Sequence, residues 1–447
     1  MKSTKQTLGG WGNYPQVTTD VIVARNLLEL KESLKVSPVT CRGLGRSYGD
    51  QAINQDHTTV LLTKLNHFIN FDIHSGILEC EAGVSLEEII EVVAPLGWFT
   101  KINPGTKFVT IGGAIANDIH GKAHHVDGTF VNCVIEFKTL LADGRILDAS
   151  REENSDLFWA SFGGLGLLGI ILSAKIQLKK IETTYFNQKA ISVKNLDQML
   201  DALEEFDKSY NYSVAWIDSM AKGKSLGKGV LTVGNAANFT DLPEKFKSNP
   251  LFVSSGSNIT VPFFFPEFAL NSLSVFFLNK VINYAQANVG NVAHYEKFFF
   301  PLDAIHQWNK GYGKRGFIQY QFVIPFEKGR ENIRTILKKI ASSGCLPFLN
   351  VLKKMGKKQG LLSFPFEGYT FAIDFPVSKN LFPFIKTLDK LVLDFGGRIY
   401  LGKDALLDKE DFKAMYPEYQ EWISIKRKYD PTNVFSSNIS RRLGLES

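Results

Sequence analysis

Cysteine is scarce in this 447-residue chain: Cys41, Cys80, Cys133 and Cys345 are the full set, and no two stand at C-x-x-C spacing. That excludes the disulfide framework of a small secreted domain and predicts reduced core thiols. No stretch reaches the roughly 20 apolar residues that a membrane-spanning helix requires. The nearest, from Val261 to Ile282, is interrupted by Glu267, Lys280 and two prolines. The first residues, Met1-Lys-Ser-Thr-Lys-Gln-Thr-Leu, carry positive charge but no apolar core, so no signal peptide is expected and the chain is assigned to the cytoplasm. Also lacking are a P-loop lysine and a G-x-G-x-x-G turn followed by an acidic residue about 20 positions on, which excludes P-loop and nicotinamide Rossmann sites. Neither internal repeats nor low-complexity blocks occur. Charge of one sign is nowhere concentrated: 51 Lys and Arg against 45 Asp and Glu give a net +6 spread along the chain. Nucleic-acid binding therefore has little support, while a slightly basic face suits an anionic lipid surface, with contact at the inner membrane face.

Hydrophobic residues at 44% and charged residues at 21% over this length fit a folded chain with two substantial cores. Its most informative feature is a set of glycine-rich segments. Cys41-Arg42-Gly43-Leu44-Gly45-Arg46-Ser47-Tyr48-Gly49-Asp50 follows a strand-like run ending at Val39-Thr40, and its amides, with Arg46 and Ser47 as further donors, suit a pyrophosphate. A second segment runs from Asn103 to His125. Gly105, Gly112 and Gly113 let backbone approach a ligand, Ala114 and Ala116 keep the next turn slim, and His120 and Lys122 follow at once. The third, Gly163-Gly164-Leu165-Gly166-Leu167-Leu168-Gly169-Ile170-Ile171, can pack small residues against a planar group, although alone it reads first as a helix-to-strand connection.

Ser85-Leu-Glu-Glu88 is a capping box that opens a helix through Val93, closed near Pro95. Strands are read at 131–140, 146–147 and 170–178, with Asp143-Gly144 as a hairpin signal. Charge and polarity rise around 179–184, where a domain boundary is placed. Beyond it Asn195 caps an amphipathic helix to about Phe206. Aromatic-rich strands are read at 214–217, 319–324, 346–351 and 370–375, with helices at 330–341, stopped by Gly344, and at 380–394. A strand at 398–401 and a helix at 422–428 complete the reading.

Seven separated motifs recur in a recognisable order: Gly-Leu-Gly-Arg-Ser-Tyr-Gly-Asp (43–50), Pro-Gly-Thr (104–106) with Gly-Gly-Ala-Ile-Ala (112–116), Asp-Ile-His-Gly-Lys (118–122), Gln-Tyr-Gln-Phe-Val-Ile-Pro (319–325), Asn-Val-Leu-Lys (350–353), Tyr-Leu-Gly-Lys-Asp (400–404) and Asp-Pro-Thr-Asn-Val-Phe (430–435). Together they closely resemble the decaprenylphosphoryl-ribose 2′-oxidase family, within the vanillyl-alcohol-oxidase-like FAD enzymes. The resemblance spans nearly the whole chain and thins between about 235 and 293. It implies an α+β fold: a two-lobed FAD-binding domain of PCMH type over 1–183, a substrate domain with a largely antiparallel sheet and helices over 184–397, and a segment 398–447 returning to the FAD domain. It also implies FAD contacts from Arg42, Gly43, Leu44, Gly45, Arg46, Ser47, Tyr48 and Gly49; from Pro104, Gly105, Thr106, Gly112, Gly113, Ala116, Asn117, Ile119 and His120; from Gly166, Gly169 and Ile171; and from Tyr400 and Lys403. Relatives that attach FAD covalently often use a histidine of the first turn, and none occurs between Cys41 and Asp50, so non-covalent FAD is expected. Substrate contacts are implied for Tyr48, Lys122, Trp216, Gln321 and Lys353.

An alcohol-oxidising flavoenzyme needs a carbon held for hydride loss, a group to take the hydroxyl proton, and positive charge to support the reduced flavin. Lys403 and His120 are the candidates. Lys403 follows strand residues and a flexible Gly402; a lysine so placed is more often solvated and paired with its neighbour, here Asp404. His120, in a constrained turn before Gly121, suits orienting the hydroxyl or acting as base. His124 and His125 read as structural, and no metal is expected because neither cysteine nor an H-E-x-x-H pattern accompanies them. Plainer roles exist for the substrate set as well: core packing for Trp216 and Gln321, a solvated face shared with Lys354, Lys357 and Lys358 for Lys353, and an exposed loop for Lys122.

One departure stands out. Some members of the family have cysteine where this chain has Ala372, so inhibitors that trap that thiol covalently should fail here. Thr370 and Phe299 lie beside segments expected to shape the pocket. The Phe-rich stretch 261–282 is read either as a lipid-touching segment or flap, or as a buried domain segment. The implied reaction is oxidation of the 2′-hydroxyl of a polyprenylphosphoryl pentose, with quinone or oxygen as electron acceptor and a separate NADH-dependent keto-reductase completing epimerisation from ribose to arabinose for the cell envelope. Two other readings stay open: a soluble alditol or aldonolactone oxidase, and a non-catalytic flavin-fold protein that binds a lipid-linked sugar.

Overall fold

Alternating burial along Gln16–Val23 makes it an inner strand of a four-stranded sheet, ordered Thr4–Gly9, Gln16–Val23, Thr58–Leu61, Val39–Arg42. The computed structural model, which describes residues 3–446 apart from Ser37, Ser255, Ser257 and Asn258, pairs Val39–Arg42 with Thr58–Leu61 in parallel. The chain therefore leaves Arg42 straight into the first glycine turn. A second sheet holds Phe68–Asp72, Ile77–Glu81, Ile170–Gln177, Val134–Leu140 and Ile146–Ser150 in that spatial order, all antiparallel. Helix Leu86–Val93 beside it begins on the expected capping box: Glu88 N donates to Ser85 Oγ at 3.2 Å and Ser85 N to Glu88 Oε2 at 2.7 Å. Gly144, at φ 86°, closes the hairpin between Val134–Leu140 and Ile146–Ser150.

The largest sheet has eight antiparallel strands, in the order Val292–His294, Tyr185–Val193, Gly229–Ala236, Tyr212–Ile217, Asn350–Met355, Gly368–Pro376, Phe317–Pro325 and Arg398–Ile399. Helices Leu196–Phe206, Gly329–Ser342 and Leu381–Asp394 pack on it. The first is capped as expected, Gln198 N donating to Asn195 Oδ1 at 3.0 Å. The strand expected at 346–351 instead starts at Asn350 and runs to Met355. Pro347 has no amide to offer a ladder, and pairing ahead of Asn350 shrinks to Phe348 N with Asp374 O (3.0 Å) and Asp374 N with Leu349 O (3.1 Å). That shift carries Lys353 into the interior of the sheet instead of onto a solvated face.

An aromatic cluster joins the small strand Trp98–Phe99 to the large sheet: Phe99 meets Tyr295 and Phe299, and Phe186 stacks on Phe298 with ring centroids 4.8 Å apart. After Arg398–Ile399 the helices Lys409–Met415, Tyr419–Tyr429 and Asn438–Leu443 run back to the first sheet, where Val39 N donates to Val434 O (2.8 Å) and Ser436 N to Val39 O (3.0 Å). Lys426, fully buried, fixes this return by donating to Asp430 (2.7 Å), Leu167 O (3.0 Å) and Phe435 O (3.0 Å). All four cysteines are free; Cys80 and Cys133 are buried, Cys41 and Cys345 only partly so.

Burial of the Phe-rich stretch does not hold. Helix Ser272–Ala287 buries only Val275 and Asn279, a stripe too narrow to cover its other faces, and Phe263, Phe268 and Phe277 are each more than half exposed. The molecule is thus an α+β protein whose sheets are mostly antiparallel, with one apolar ridge left outside.

Candidate active site

A cavity of about 1180 Å³ lies among the three sheets, and nearly all of the residues singled out from the sequence line it. From the first turn come Arg42, Gly43, Leu44, Gly45, Arg46, Ser47 and Tyr48. The second segment contributes Pro104, Gly105, Thr106, Gly112, Gly113, Ala116, Asn117, Ile119, His120 and Lys122. Gly166, Gly169 and Ile171 line it from the third, Tyr400 and Lys403 from the C-terminal segment, and Trp216, Gln321 and Lys353 from the large sheet. The structure thus splits the third segment. Gly163 and Gly164 pack against Leu362 and Ala160 backbone as a connection would, while a Cβ on Gly166 would meet nothing within 4 Å.

Gly49 is a correction. It does not line the cavity; a Cβ there would lie 1.9 Å from Asp404 O, so the glycine is spent on close packing of the turn against the Lys403 loop. Arg42 lines the cavity, but its guanidinium is turned to protein, donating to Gly9 O (2.8 Å) and Ala52 O (3.1 Å). It holds the turn in shape. Arg46 is the more available cation: it lies 4.0 Å from the centroid of Trp11, and its Nε is buried without a partner.

These features fit FAD. Gly105, like Gly166, has open space where a side chain would project, Gly112 and Gly43 are pinned against Ala82 and Thr110, and Asn117 Oδ1 joins Arg46 Nε as an unpaired buried polar atom. When bound, FAD supplies a two-electron hydride acceptor.

Lys403 does not pair with Asp404. Asp404 accepts from Arg442 at 2.9 Å and from the amides of Leu406 and Leu407, so the Lys403 ammonium turns inward. There it donates to Gln319 Oε1 and lies 5.0 Å from the Tyr48 ring centroid. Gln319 Nε2 in turn donates to Asp374 Oδ1 at 2.6 Å, and Tyr312 OH to Asp374 Oδ2 at 3.0 Å. Burial, and then the Lys353 charge, push the Lys403 pKa down from the ordinary lysine value; burial pushes Asp374 up. Gln319 and Asp374 were missed by the sequence reading. Gln319 was legible, since it sits two residues before Gln321 and shares its face of the strand; Asp374 joins it only because the antiparallel register sets it opposite Gln319.

His120 is held by a turn whose Asp118, at φ 42°, accepts from Val131 N (3.2 Å) and from Ser363 Oγ. Burial, followed by the Lys353 charge, lowers the His120 pKa well below its usual value, so the ring is neutral. Gln321 Nε2 lies 3.3 Å from His120 Nε2 and 3.1 Å from Thr370 Oγ1, whose hydroxyl is committed to Phe322 O. Gln321 is then the donor to Nε2, which leaves the proton on Nδ1, an atom with no partner. His120 therefore stands at the cavity wall as a neutral ring whose Nε2 is occupied by Gln321. His124 Nδ1 accepts from Gly356 N at 2.8 Å and His125 Nε2 lies 3.2 Å from Tyr210 O, both structural contacts.

Lys353 and Lys122 bring unneutralised charge to the same space. Neither has a carboxylate within ion-pair distance among the described residues; burial brings Lys353 down to about 8 and Lys122, also facing Lys353, down to about 7. Lys122 is no exposed loop residue: its ammonium donates to Phe298 O and lies 4.8 Å from the Phe298 ring centroid. Trp216 is 7% exposed, with Nε1 unpaired. Ala372, opposite Gln321 and Val351 in register, faces the cavity, as do Thr370 and Phe299.

Comparison with known proteins agrees with this geometry. An FAD binding domain model matches residues 21–150, and a D-arabinono-1,4-lactone oxidase model matches residues 314–443. The decaprenylphosphoryl-beta-D-ribose oxidase of Mycolicibacterium smegmatis is 37% identical, covering 99% of this chain and 98% of its own length. An uncharacterised protein of Streptomyces coelicolor is 30% identical over 81% of the chain and 100% of its own. The L-gulonolactone oxidase of Mus musculus is 24% identical over 93% and 92%. A cavity lined by three glycine segments, with an inward lysine and a neutral histidine beside it, and a full-length relative at this identity place the chain in the decaprenylphosphoryl-beta-D-ribose oxidase family of FAD-dependent oxidoreductases acting on CH–OH groups.

Proposed function

We propose that the protein oxidises the 2′-hydroxyl of a polyprenylphosphoryl-β-D-ribose to the 2′-ketone. Lys403, its ammonium disfavoured by burial, takes the hydroxyl proton as C2′ loses hydride. Once protonated it is held by Gln319, itself anchored on Asp374, and its charge would support a reduced flavin in the cavity. Gln321 and the His120 ring, both in the cavity wall, position the hydroxyl, and Trp216 forms apolar wall. The observation that carries the substrate class is the pair Lys353 and Lys122: two lysines in the cavity wall with no carboxylate within ion-pair distance among the described residues, whose ammonium forms an incoming phosphodiester would favour, and an uncharged sugar gives no reason for them.

The ketone is the first half of an epimerisation. A separate NADH-dependent keto-reductase completes it to the arabinose form, since this chain has no dinucleotide fingerprint of its own. FAD is held non-covalently, a reading supported by the first glycine turn, which has no histidine between Cys41 and Asp50 to attach it. Quinone or oxygen takes the electrons, and the enzyme works from the cytoplasm at the inner membrane face. The lactone oxidase match over 314–443 favours a second reading, aldonolactone oxidation.

Anaerobic absorbance of the FAD-loaded enzyme separates these readings. Bleaching by polyprenylphosphoryl ribose, lost in Lys403→Ala and weakened in Lys353→Met, supports the proposal. Bleaching by L-gulono-1,4-lactone or ribitol instead would replace it with the lactone or alditol reading, and retention of FAD with no bleaching by any of them would make the protein a binding module.

A further inference from the structure

Helix Ser272–Ala287 has one face for the cavity and another for solvent. Its inward stripe is Val275, Asn279, Ile282 and Gln286: Asn279 Nδ2 donates to Asp218 Oδ1 (2.8 Å) and Ser219 Oγ (2.9 Å), and Ile282 and Gln286 form cavity wall. Outward stand Leu273, Phe277, Val281 and Tyr284, between 57% and 72% exposed, and the segment ahead of the helix adds Phe263 at 62% and Phe268 at 79%. Exposed apolar side chains grouped at i, i+4, i+8 and i+11 on one helix face, with more in the segment ahead of it, mark a contact. The acidic residue within it, Glu267, is neutralised by Arg315 at 2.7 Å, while Lys280, with its ammonium 4.5 Å from the Phe276 ring centroid, remains as charge on the helix. Among the described residues no helix is long and apolar enough to cross a membrane. Aromatic and aliphatic side chains with lysine at their edge and no free carboxylate have the chemistry of a surface that lies in a lipid interface.

We infer that this ridge seats the protein on one leaflet of a bilayer, its apolar side chains in the acyl boundary and Lys280 at the phosphates, with the cavity opening beside the same leaflet. The inference rests on the polyprenylphosphoryl reading for its purpose. Because one helix is both ridge and cavity wall, the sugar phosphate of a lipid substrate enters the cavity while its prenyl tail stays in hydrocarbon. Continuity with the site, together with the charge pattern, favours a lipid leaflet over a second protein as the occupant.

The test is flotation of the full FAD-loaded chain with vesicles of mixed phosphatidylcholine and phosphatidylglycerol, comparing the parent with Phe268→Ser/Phe277→Ser, two exposed positions outside the cavity lining. The expected result is vesicle partition lower by about tenfold or more in the variant. Turnover of vesicle-embedded polyprenylphosphoryl ribose falls with it, and FAD reduction by a short-chain, water-soluble prenylphosphoryl ribose stays unchanged. Equal flotation of parent and variant overturns the inference. So does a parent that ignores vesicles but forms a concentration-dependent dimer that the variant loses. Flotation that depends on the ridge, with no reduction by either prenyl sugar, upholds the seating and fails the substrate reading instead.

Discussion

At the scale of the residue, the site depends on how two neighbours bias Lys403 in opposite directions. The Lys353 ammonium disfavours the Lys403 ammonium and the Asp374 carboxylate favours it. A base works in its neutral form, so the reductive half-reaction speeds up as pH rises through the Lys403 pKa, well below the ordinary 10.5. Lys353→Met removes repulsion, raises that pKa and moves the rising limb to higher pH. Asp374→Asn removes attraction and moves it lower. Anaerobic stopped-flow reduction across pH reads both shifts; a shift of the same sign in the two variants would show that Lys403 is not the titrating base. Lys403→Met itself should slow reduction by about 10²–10⁴-fold, the usual worth of a positioned acid–base group. Ala372 gives an independent check on which side chains face the cavity. The parent should resist covalent thiol-trapping ligands of the site, and Ala372→Cys should be alkylated there, read by intact-protein mass, with FAD reduction retained.

Among the elements, legibility followed local signals. The Ser85 capping box, the Asn195 cap, the Asp143-Gly144 hairpin and the helices read at 330–341 and 380–394, found at Gly329–Ser342 and Leu381–Asp394, could be read because a few adjacent residues settle each of them. What escaped was long-range. Lys353 could be placed on the substrate side only through family resemblance, its neighbouring lysines alone suggesting a solvated face, and strand pairing with Thr370 is what puts it inside the sheet; Gly49 looked like a ligand glycine until the Lys403 loop was seen packed on it. Gln319 and Asp374 belong to the same lesson, since their hydrogen bond exists only through register. Local caps have local consequences: Asn195→Ala should cost about 1 kcal/mol in urea unfolding, with no change in the rate of FAD reduction, because Leu196–Phe206 contributes no cavity residue.

Over the whole molecule the decisive tie is Arg442. Its guanidinium binds Asp50 at 2.7 Å and Asp404 at 2.9 Å, linking the last residue of the first glycine turn to the loop that carries Lys403. Both carboxylates are nearly buried, so Arg442→Met strands two charges at once and should destabilise the protein by about 3–5 kcal/mol. Thermal unfolding with and without added FAD measures this; a variant as stable as the parent would mean that the clasp is ornamental. The distance of this tie along the chain, 392 positions from Asp50 to Arg442, orders events in time. A ribosome delivers Asp50 long before its partner, so this tie can close only when nearly all of the chain has been made. The first glycine turn and the Lys403 loop therefore share one guanidinium supplied by the last helix, Asn438–Leu443, so the two ends of the chain meet at the site they both build.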